Sequence, residues 1–175
     1  MCNIQVSSIL DIDLANGPGV RTTIFLQGCT RHCKGCHNPS TWNPTKGYTS
    51  TVAELFNHIK VNHDTALKRG IDQGLTISGG EPLLQAKALV ELLTRVRDIG
   101  VRDIWMWTGY NSYDELTQEQ RDAVDLCTCV VFGEFKQELA SSMLAYRGSS
   151  NQRILRVDTK PHTDITDAMD NEIFG

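Results

Sequence analysis

Apolar and polar positions along this 175-residue chain alternate between two rhythms. Short apolar runs at residues 22–27, 75–78, 103–107, 127–132 and 154–157 read as buried strands, and 4–12 is a candidate sixth. Between them runs the 3.6-residue period of amphipathic helices. Residues 82–99 place Leu84, Ala88, Leu92, Val96 and Ile99 on one stripe, and Gly100 closes it. Thr51-Val-Ala-Glu54 fits a capping box and predicts a helix to about Val61. Residues 113–121 predict a short helix, and 135–144 have the composition for another.

Strands alternating with helices predict βαβ units and a parallel sheet. A closed eight-stranded α/β barrel takes ~250 residues, so the expected fold is α/β, an open partial barrel of about five to six mostly parallel strands. One domain is expected over residues 1–160, with an acidic C-terminal tail, 161–175, of disordered character. In such sheets ligands bind beyond the carboxyl ends of strands. Cys29, Gly79-Gly80 and Thr108-Gly109 each fall just past a strand, so three loops are expected on one rim.

Hydrophobic content of 40% and charged content of 22% are ordinary for a soluble domain. The net charge is −4, and the tail carries all of it through Asp164, Asp167, Asp170 and Glu172. The neutral body argues against a nucleic-acid partner. No apolar run approaches the ~18 residues of a bilayer span, so no membrane partner is expected. The opening Met-Cys-Asn-Ile-Gln-Val lacks the basic flank of an export signal. A reducing, cytoplasmic setting with free thiols is the expectation.

Candidate chemistry begins at Gly28-Cys-Thr-Arg-His-Cys-Lys-Gly-Cys-His-Asn38. Cys29, Cys33 and Cys36 have C-x3-C-x2-C spacing with no fourth cysteine nearby. Three thiolates on a four-iron cluster would leave one iron open to a small molecule, the condition for catalysis rather than structure. Zinc with His32 or His37 as fourth ligand, a disulfide, and one face of a helix are the alternatives. Gly28, Gly35 and Pro39 disfavour the helix. Ser78-Gly-Gly-Glu-Pro82 follows a strand and opens a helix. Its glycines permit close approach of a ligand, the helix start favours an anion, and Glu81 offers an acceptor to an amine. A plain tight turn is the alternative. Cys127 and Cys129, on one strand face, are expected in the core, and Cys2 is expected to be idle. Trp105 and Trp107 share a strand face. Tyr110 either lines the cofactor pocket or only covers the rim, and His58 and His63 are placed on a solvated helix end.

C-x3-C-x2-C followed by Gly-Gly-Glu, on alternating strands and helices, resembles the radical S-adenosylmethionine superfamily. The resemblance implies a [4Fe–4S] cluster on Cys29, Cys33 and Cys36, and S-adenosyl-L-methionine held by Gly79, Gly80 and Glu81 at its methionyl end. Gly35 stands where an aromatic residue near the adenine is common, so Gly35, Cys36 and His37 are expected to meet the cofactor through backbone. Thr108 and Gly109 complete that set. Asn16-Gly-Pro-Gly-Val-Arg21 resembles the glycyl-radical-enzyme activases. Cys36-His-Asn38, Ser40-Thr-Trp42, Trp105-Met-Trp-Thr-Gly-Tyr110 and Arg147-Gly-Ser-Ser-Asn-Gln152 are similar to the activases of anaerobic ribonucleotide reductases. Phe132-Gly-Glu-Phe135 departs from that family's Asp-Gly-x-Phe pattern. The resemblance implies a glycyl radical raised on the reductase catalytic subunit, with a reduced flavodoxin-type electron donor. It implies no catalytic side chain beyond the cluster. Asn16, Gly17, Gly19 and Arg21 are then the expected contacts to the protein target, and residues 147–152 lie near cofactor or target.

Overall fold

A computed structural model describes residues 2–174. Its centre is four adjacent parallel strands, β2 (Arg21–Leu26), β4 (Gly74–Gly79), β5 (Ile104–Thr108) and β6 (Cys129–Phe132). These are the most apolar runs of the chain. Strands buried on both faces are what a parallel sheet requires. Helices α1 (Val52–Leu67), α2 (Ala86–Asp98) and α3 (Gln118–Asp125) connect them. The pleat sends Leu75, Ile77, Ile104, Met106, Val130 and Phe132 toward those helices, where they meet Leu55, Ile59, Leu89, Leu92 and Val96 in the main core. Trp105, Cys129 and Val131 point to the opposite face and form a second cluster with Ile154.

The sheet is larger and more mixed than the expected five to six mostly parallel strands. It has eight strands in the order β3-β1-β2-β4-β5-β6-β7-β8, and four of its seven neighbour pairs are antiparallel. β1 (Asn3–Asp13) and β3 (Tyr48–Thr51) extend one edge. β7 (Arg153–Arg156) and β8 (Thr163–Asp164) extend the other. β3 and β8 are short and polar, so they carry no apolar run to betray them. The acidic segment, expected as a disordered end, instead forms β8 and α4 (Thr166–Phe174). Arg147 donates to the Asp170 carboxylate, which also accepts from the Ala145 amide at 2.9 Å. That pairing gives an acidic helix a reason to stay.

Smaller differences have local causes. The Thr51–Glu54 capping box forms, but α1 runs on to Leu67. His63 therefore lands one turn after Ile59 and is buried, not solvated, while His58 stays exposed and pairs with Asp11 at 2.6 Å. Residues 135–144 make only one 3-10 turn, Gln137–Leu139, because Ala140 bridges to Ser149 in extended conformation. Cys127 precedes β6 and packs in the main core, whereas Cys129 joins the second cluster, so they do not share a face.

Arg21 changes role outright. It was expected to grip a protein partner, yet it is fully buried at the start of β2. Its guanidinium donates to Thr76 Oγ1 (2.6 Å), Pro18 O (2.9 Å), Leu75 O (2.7 Å) and Asp103 O (3.2 Å), and to the Asp103 carboxylate. It also lies 5.9 Å from the Trp105 ring centroid. One side chain thus ties β2, β4 and β5 to the preceding turn. Arg21→Ala should lower the unfolding free energy by about 3 kcal/mol, since several buried acceptors lose their donor. Urea titration checks this; an unchanged midpoint would refute the tie.

The tail gives a pH test. The Arg147 hydrogen bond holds the Asp170 carboxyl below the usual carboxylate range. A depressed folded value stabilises above the unfolded value and loses that stabilisation as pH falls through the lowered one. Amides of α4 should therefore exchange faster near pH ~3 than intrinsic rates predict, relative to pH ~7. Equal protection at both values would rule this out.

Candidate active site

Three loops leave the carboxyl ends of β2, β4 and β5 on the same rim, as expected. The first closes on itself. Gly28 N donates to Thr41 O (2.7 Å) and Cys29 N to Trp42 O (3.0 Å), while the Gln27 side chain donates to Ser40 O (2.9 Å) and Asn43 O (2.7 Å). Residues 28–43 therefore form a lobe with a fixed neck. Cys29, Cys33 and Cys36 lie inside it and outside any helix, so the helix-face alternative falls. All six cysteines are free, so the disulfide alternative falls too.

The second loop is stitched to that neck. Gly80 N donates to Leu26 O (2.9 Å) and Glu81 N to Gly28 O (2.8 Å). A Cβ on Gly79 would stand 2.3 Å from Leu26 N, and one on Gly80 would stand 2.2 Å from Gly28 O. Both glycines are needed for backbone to meet backbone, a reason that precedes any ligand.

Glu81 then reaches across to the third loop. It is 2% exposed. Its carboxylate accepts from Leu83 N (3.1 Å), Thr108 Oγ1 (2.8 Å) and Gly109 N (2.8 Å), and Arg31 Nε lies 3.5 Å away. Burial pushes its pKa up, against the pull of these donors. The carboxylate was expected to accept from a ligand amine, but internal donors already occupy it. Arg31, from the cysteine lobe, stacks over Tyr110 at 4.4 Å. Glu81 and Arg31, with Thr108, Gly109 and Tyr110, thus lock the three loops together.

Between the loops lies a cavity of about 300 Å³. Its wall brings together Cys29, Cys33, Cys36, His37, Gly79, Gly80, Glu81, Thr108, Gly109 and Asn16. Of the expected residues, Gly35 is absent from it: the position where its Cβ would be is 2.9 Å from Gln137 Cδ, under the segment after β6. Gly17, Gly19 and Arg21 are also absent from the wall. Gly17 packs on the Arg21 side chain, where a Cβ would come within 2.9 Å of Nε. Arg31, Trp107, Phe135 and Tyr146 line the cavity without having been singled out for it. Arg31 gave no signal beyond its place between two cysteines. Trp107 was legible only as a core residue, although its Nε1 donates to Tyr146 O at 2.9 Å and fixes that wall.

His32 stacks on Trp42 (4.7 Å) and His37 on Phe135 (4.9 Å). Among the described residues, no three His, Cys, Asp or Glu side chains gather tightly enough for a single metal ion. The three thiols do line one shared cavity, and Cys thiolates are what iron–sulfur clusters take as ligands. The donor set, three soft sulfurs on one wall, fits such a group. Burial pushes the Cys33 thiol up, opposed by a hydrogen bond from the Phe135 backbone. Cys127 and Cys129 lie elsewhere, and burial pushes both thiols up to about 12. Only thiolate is reactive. In the metal-free chain at pH ~8, iodoacetamide should label Cys29 and Cys36, Cys33 more slowly, and leave Cys127 and Cys129 unmodified until the fold is melted. Equal rates, read by mass spectrometry, would contradict this arrangement.

A family model described as a 4Fe-4S single cluster domain matches residues 15–155. The chain is similar to the anaerobic ribonucleoside-triphosphate reductase-activating protein of Escherichia coli K12, 42% identical over 144 residues, covering 81% of this chain and 91% of that one. The protein of the same name from Haemophilus influenzae is 43% identical over 150 residues, covering 82% and 92%. That of Vibrio cholerae is 41% identical over 148 residues, covering 83% and 93%.

Proposed function

Because the chain belongs to the family of anaerobic ribonucleoside-triphosphate reductase-activating proteins with a 4Fe-4S domain, we propose that it activates that reductase by raising a glycyl radical on its catalytic subunit. The observation that carries this reading is the convergence of three free thiols and a Gly-Gly-Glu turn on one cavity, with the turn hydrogen-bonded to the neck of the thiol lobe. We read the four parallel strands as the centre of an open partial barrel of the radical S-adenosylmethionine type.

When bound, a reduced [4Fe–4S] cluster supplies the electron that splits S-adenosyl-L-methionine into methionine and the 5′-deoxyadenosyl radical that takes a hydrogen from one glycine of the reductase. Every other task falls to the chain. Cys29, Cys33 and Cys36 would hold the cluster through their thiolates, with S-adenosyl-L-methionine bound beside it. Gly79, Gly80, Thr108 and Gly109 would hold the methionyl end of the cofactor, and Cys36 and His37 would border its adenine by backbone, all six lining the one cavity. Glu81 acts as a positioning residue: it fixes the Gly109 amide and the Arg31 side chain, and both line the cavity. The aromatic wall of Trp107, Phe135 and Tyr146 excludes water, which a primary carbon radical requires.

A reduced flavodoxin-type protein is the proposed electron donor, and the cytoplasm the proposed setting, in keeping with six free cysteines. Among the described residues no helix is long and apolar enough to cross a membrane.

The test is anaerobic reconstitution with iron and sulfide, then addition of reductant, S-adenosyl-L-methionine and the reductase. The wild-type chain should release 5′-deoxyadenosine and produce a glycyl radical signal in electron paramagnetic resonance. Alanine at Cys29, Cys33 or Cys36 should abolish both, whereas Cys127→Ala should leave both and cost on the order of 1 kcal/mol of stability. A Cys127 variant that folds but loses its iron would overturn the three-thiol assignment. Glu81→Gln keeps the acceptor oxygen and should bind cofactor more tightly than Glu81→Ala, which frees the Gly109 amide; equal affinities by calorimetry would remove Glu81 from its positioning role.

A further inference from the structure

The thiol lobe borders two hollows. One is the cavity described above. The other is a groove of about 590 Å³ on its solvent side, walled by the exposed residues Thr30, His32, Ser40, Asn43, Pro44 and Lys46. Cys29 and Trp42 line both hollows. At these two positions a single residue spans from groove to cavity. A cluster on the three thiols would thus be approached from the groove without passage through the cavity.

The groove is firmly framed. The neck bonds already described fix the carbonyls of Ser40, Trp42 and Asn43, and Asn43 Oδ1 accepts from Thr45 N (2.9 Å) and Thr45 Oγ1 (2.8 Å). His32 has a φ of 50°, a left-handed conformation that costs energy outside glycine. Its ring stacks on Trp42, and it lines the groove and not the cavity, so it is no partner for the thiols there. Charge sets this face apart as well. The chain has 21 acidic against 17 basic side chains, yet residues 14–53 contain no Asp or Glu. Of the cations in that stretch, Arg21 and Arg31 are engaged inside by Asp103 and Glu81. Lys34 and Lys46 are exposed, and neither has an ion pair among the described residues. No carboxylate lines the groove. An acid-free, cationic face on an acidic chain attracts an acidic partner.

Each cleavage on the activase reading above, on which this inference rests, consumes one electron while cofactor and target fill the cavity. That electron needs a separate way in. We propose that the groove of Cys29, His32, Trp42 and Lys46 is the entry face for the electron donor, a small acidic protein that carries a one-electron flavin. Lys46 at the rim, with Lys34 nearby in sequence to the stack, draws the acidic surface in. The His32–Trp42 stack meets the flavin edge beside the Cys29 thiol. One electron leaves the reduced flavin, which is oxidised by one, and enters the cluster held at Cys29, which is reduced by one. No bond of this chain forms or breaks. Redox encounters use small and weak interfaces, so a groove with a short cationic rim is sufficient. Donor and target then reach opposite sides of the same thiol wall and do not compete.

The test uses the reconstituted full chain without oxygen and a purified flavodoxin as the probe. His32→Asn removes the ring and keeps a residue that tolerates the left-handed backbone, and Lys46→Glu reverses the charge of the rim. Neither position lines the cavity. In the double variant, affinity for the flavodoxin by biolayer interferometry should fall about tenfold or more. Reduction of the cluster by reduced flavodoxin, followed by stopped-flow absorbance, should slow with it. Wild-type affinity should weaken as salt rises from ~50 to ~300 mM. Reduction by dithionite, which needs no docking face, and affinity for the reductase should stay at wild-type values. If dithionite reduction slows as well, the lobe itself is disturbed, and Lys46→Glu alone, outside residues 28–43, carries the same comparison. Flavodoxin affinity that is undetectable in the wild type, or unchanged in the variants, overturns the entry face while the activase reading stands. Loss of reductase affinity with flavodoxin affinity intact assigns the groove to the target and also overturns it. A wild-type chain that accepts the electron but neither releases 5′-deoxyadenosine nor raises a radical overturns the activase reading, and the flavodoxin comparison still decides the face.

Discussion

The buried carboxylate of Glu81 is the constraint on which the site depends. A carboxylate withdrawn from water is tolerated only when donors surround it. Here those donors come from three chain segments: the start of the helix after β4, the turn after β5, and the cysteine lobe after β2. Moving any one loop away would leave charge unsatisfied in a dry place, at a cost far above that of an ordinary surface contact. The loops are therefore held in mutual register by desolvation itself. Gly79 and Gly80 bring the turn close enough for this to happen, since a single methyl group on either would collide with backbone of β2 or its exit.

Arg21 serves the opposite end of the same three strands. It enters the sheet beside Trp105 and satisfies carbonyls of the turn before β2 and of β4 and β5. A guanidinium has five donors in a fixed plane, so it can close several acceptors that no apolar side chain could. The face of the sheet turned from the main core carries Arg21 at its amino end with Trp105 and Trp107 beside it, and the thiols line the cavity at its carboxyl end.

Much of this was legible in the sequence. The central parallel strands announce themselves as apolar runs, two of them ended by Gly79-Gly80 and Thr108-Gly109, and the rim follows from where those runs stop. The Thr51–Glu54 capping box is local chemistry and forms as read. The edge strands were not legible, because β3 and β8 bury little and are held by backbone pairing with neighbours far along the chain. The ordered tail was missed for a related reason. Its acidity suggests repulsion and disorder, and only the fold brings Arg147 to Asp170 to reverse that sign. His63 turned inward because α1 is longer than its first turns implied.

The misplaced site residues share one cause. Arg21 and Glu81 were read as charges reaching outward, to a partner and to a ligand, because sequence shows a charged residue in a motif without showing which backbone groups that motif leaves unpaired. A parallel sheet creates such groups at both strand ends, where tight turns expose amides at one end and carbonyls at the other. The charged residues nearest those ends are captured by them: the anion by the amides at the carboxyl rim, the cation by the carbonyls at the amino end. That division is why both motif charges, Glu81 at the rim and Arg21 at the amino end, are spent on backbone groups of the fold itself.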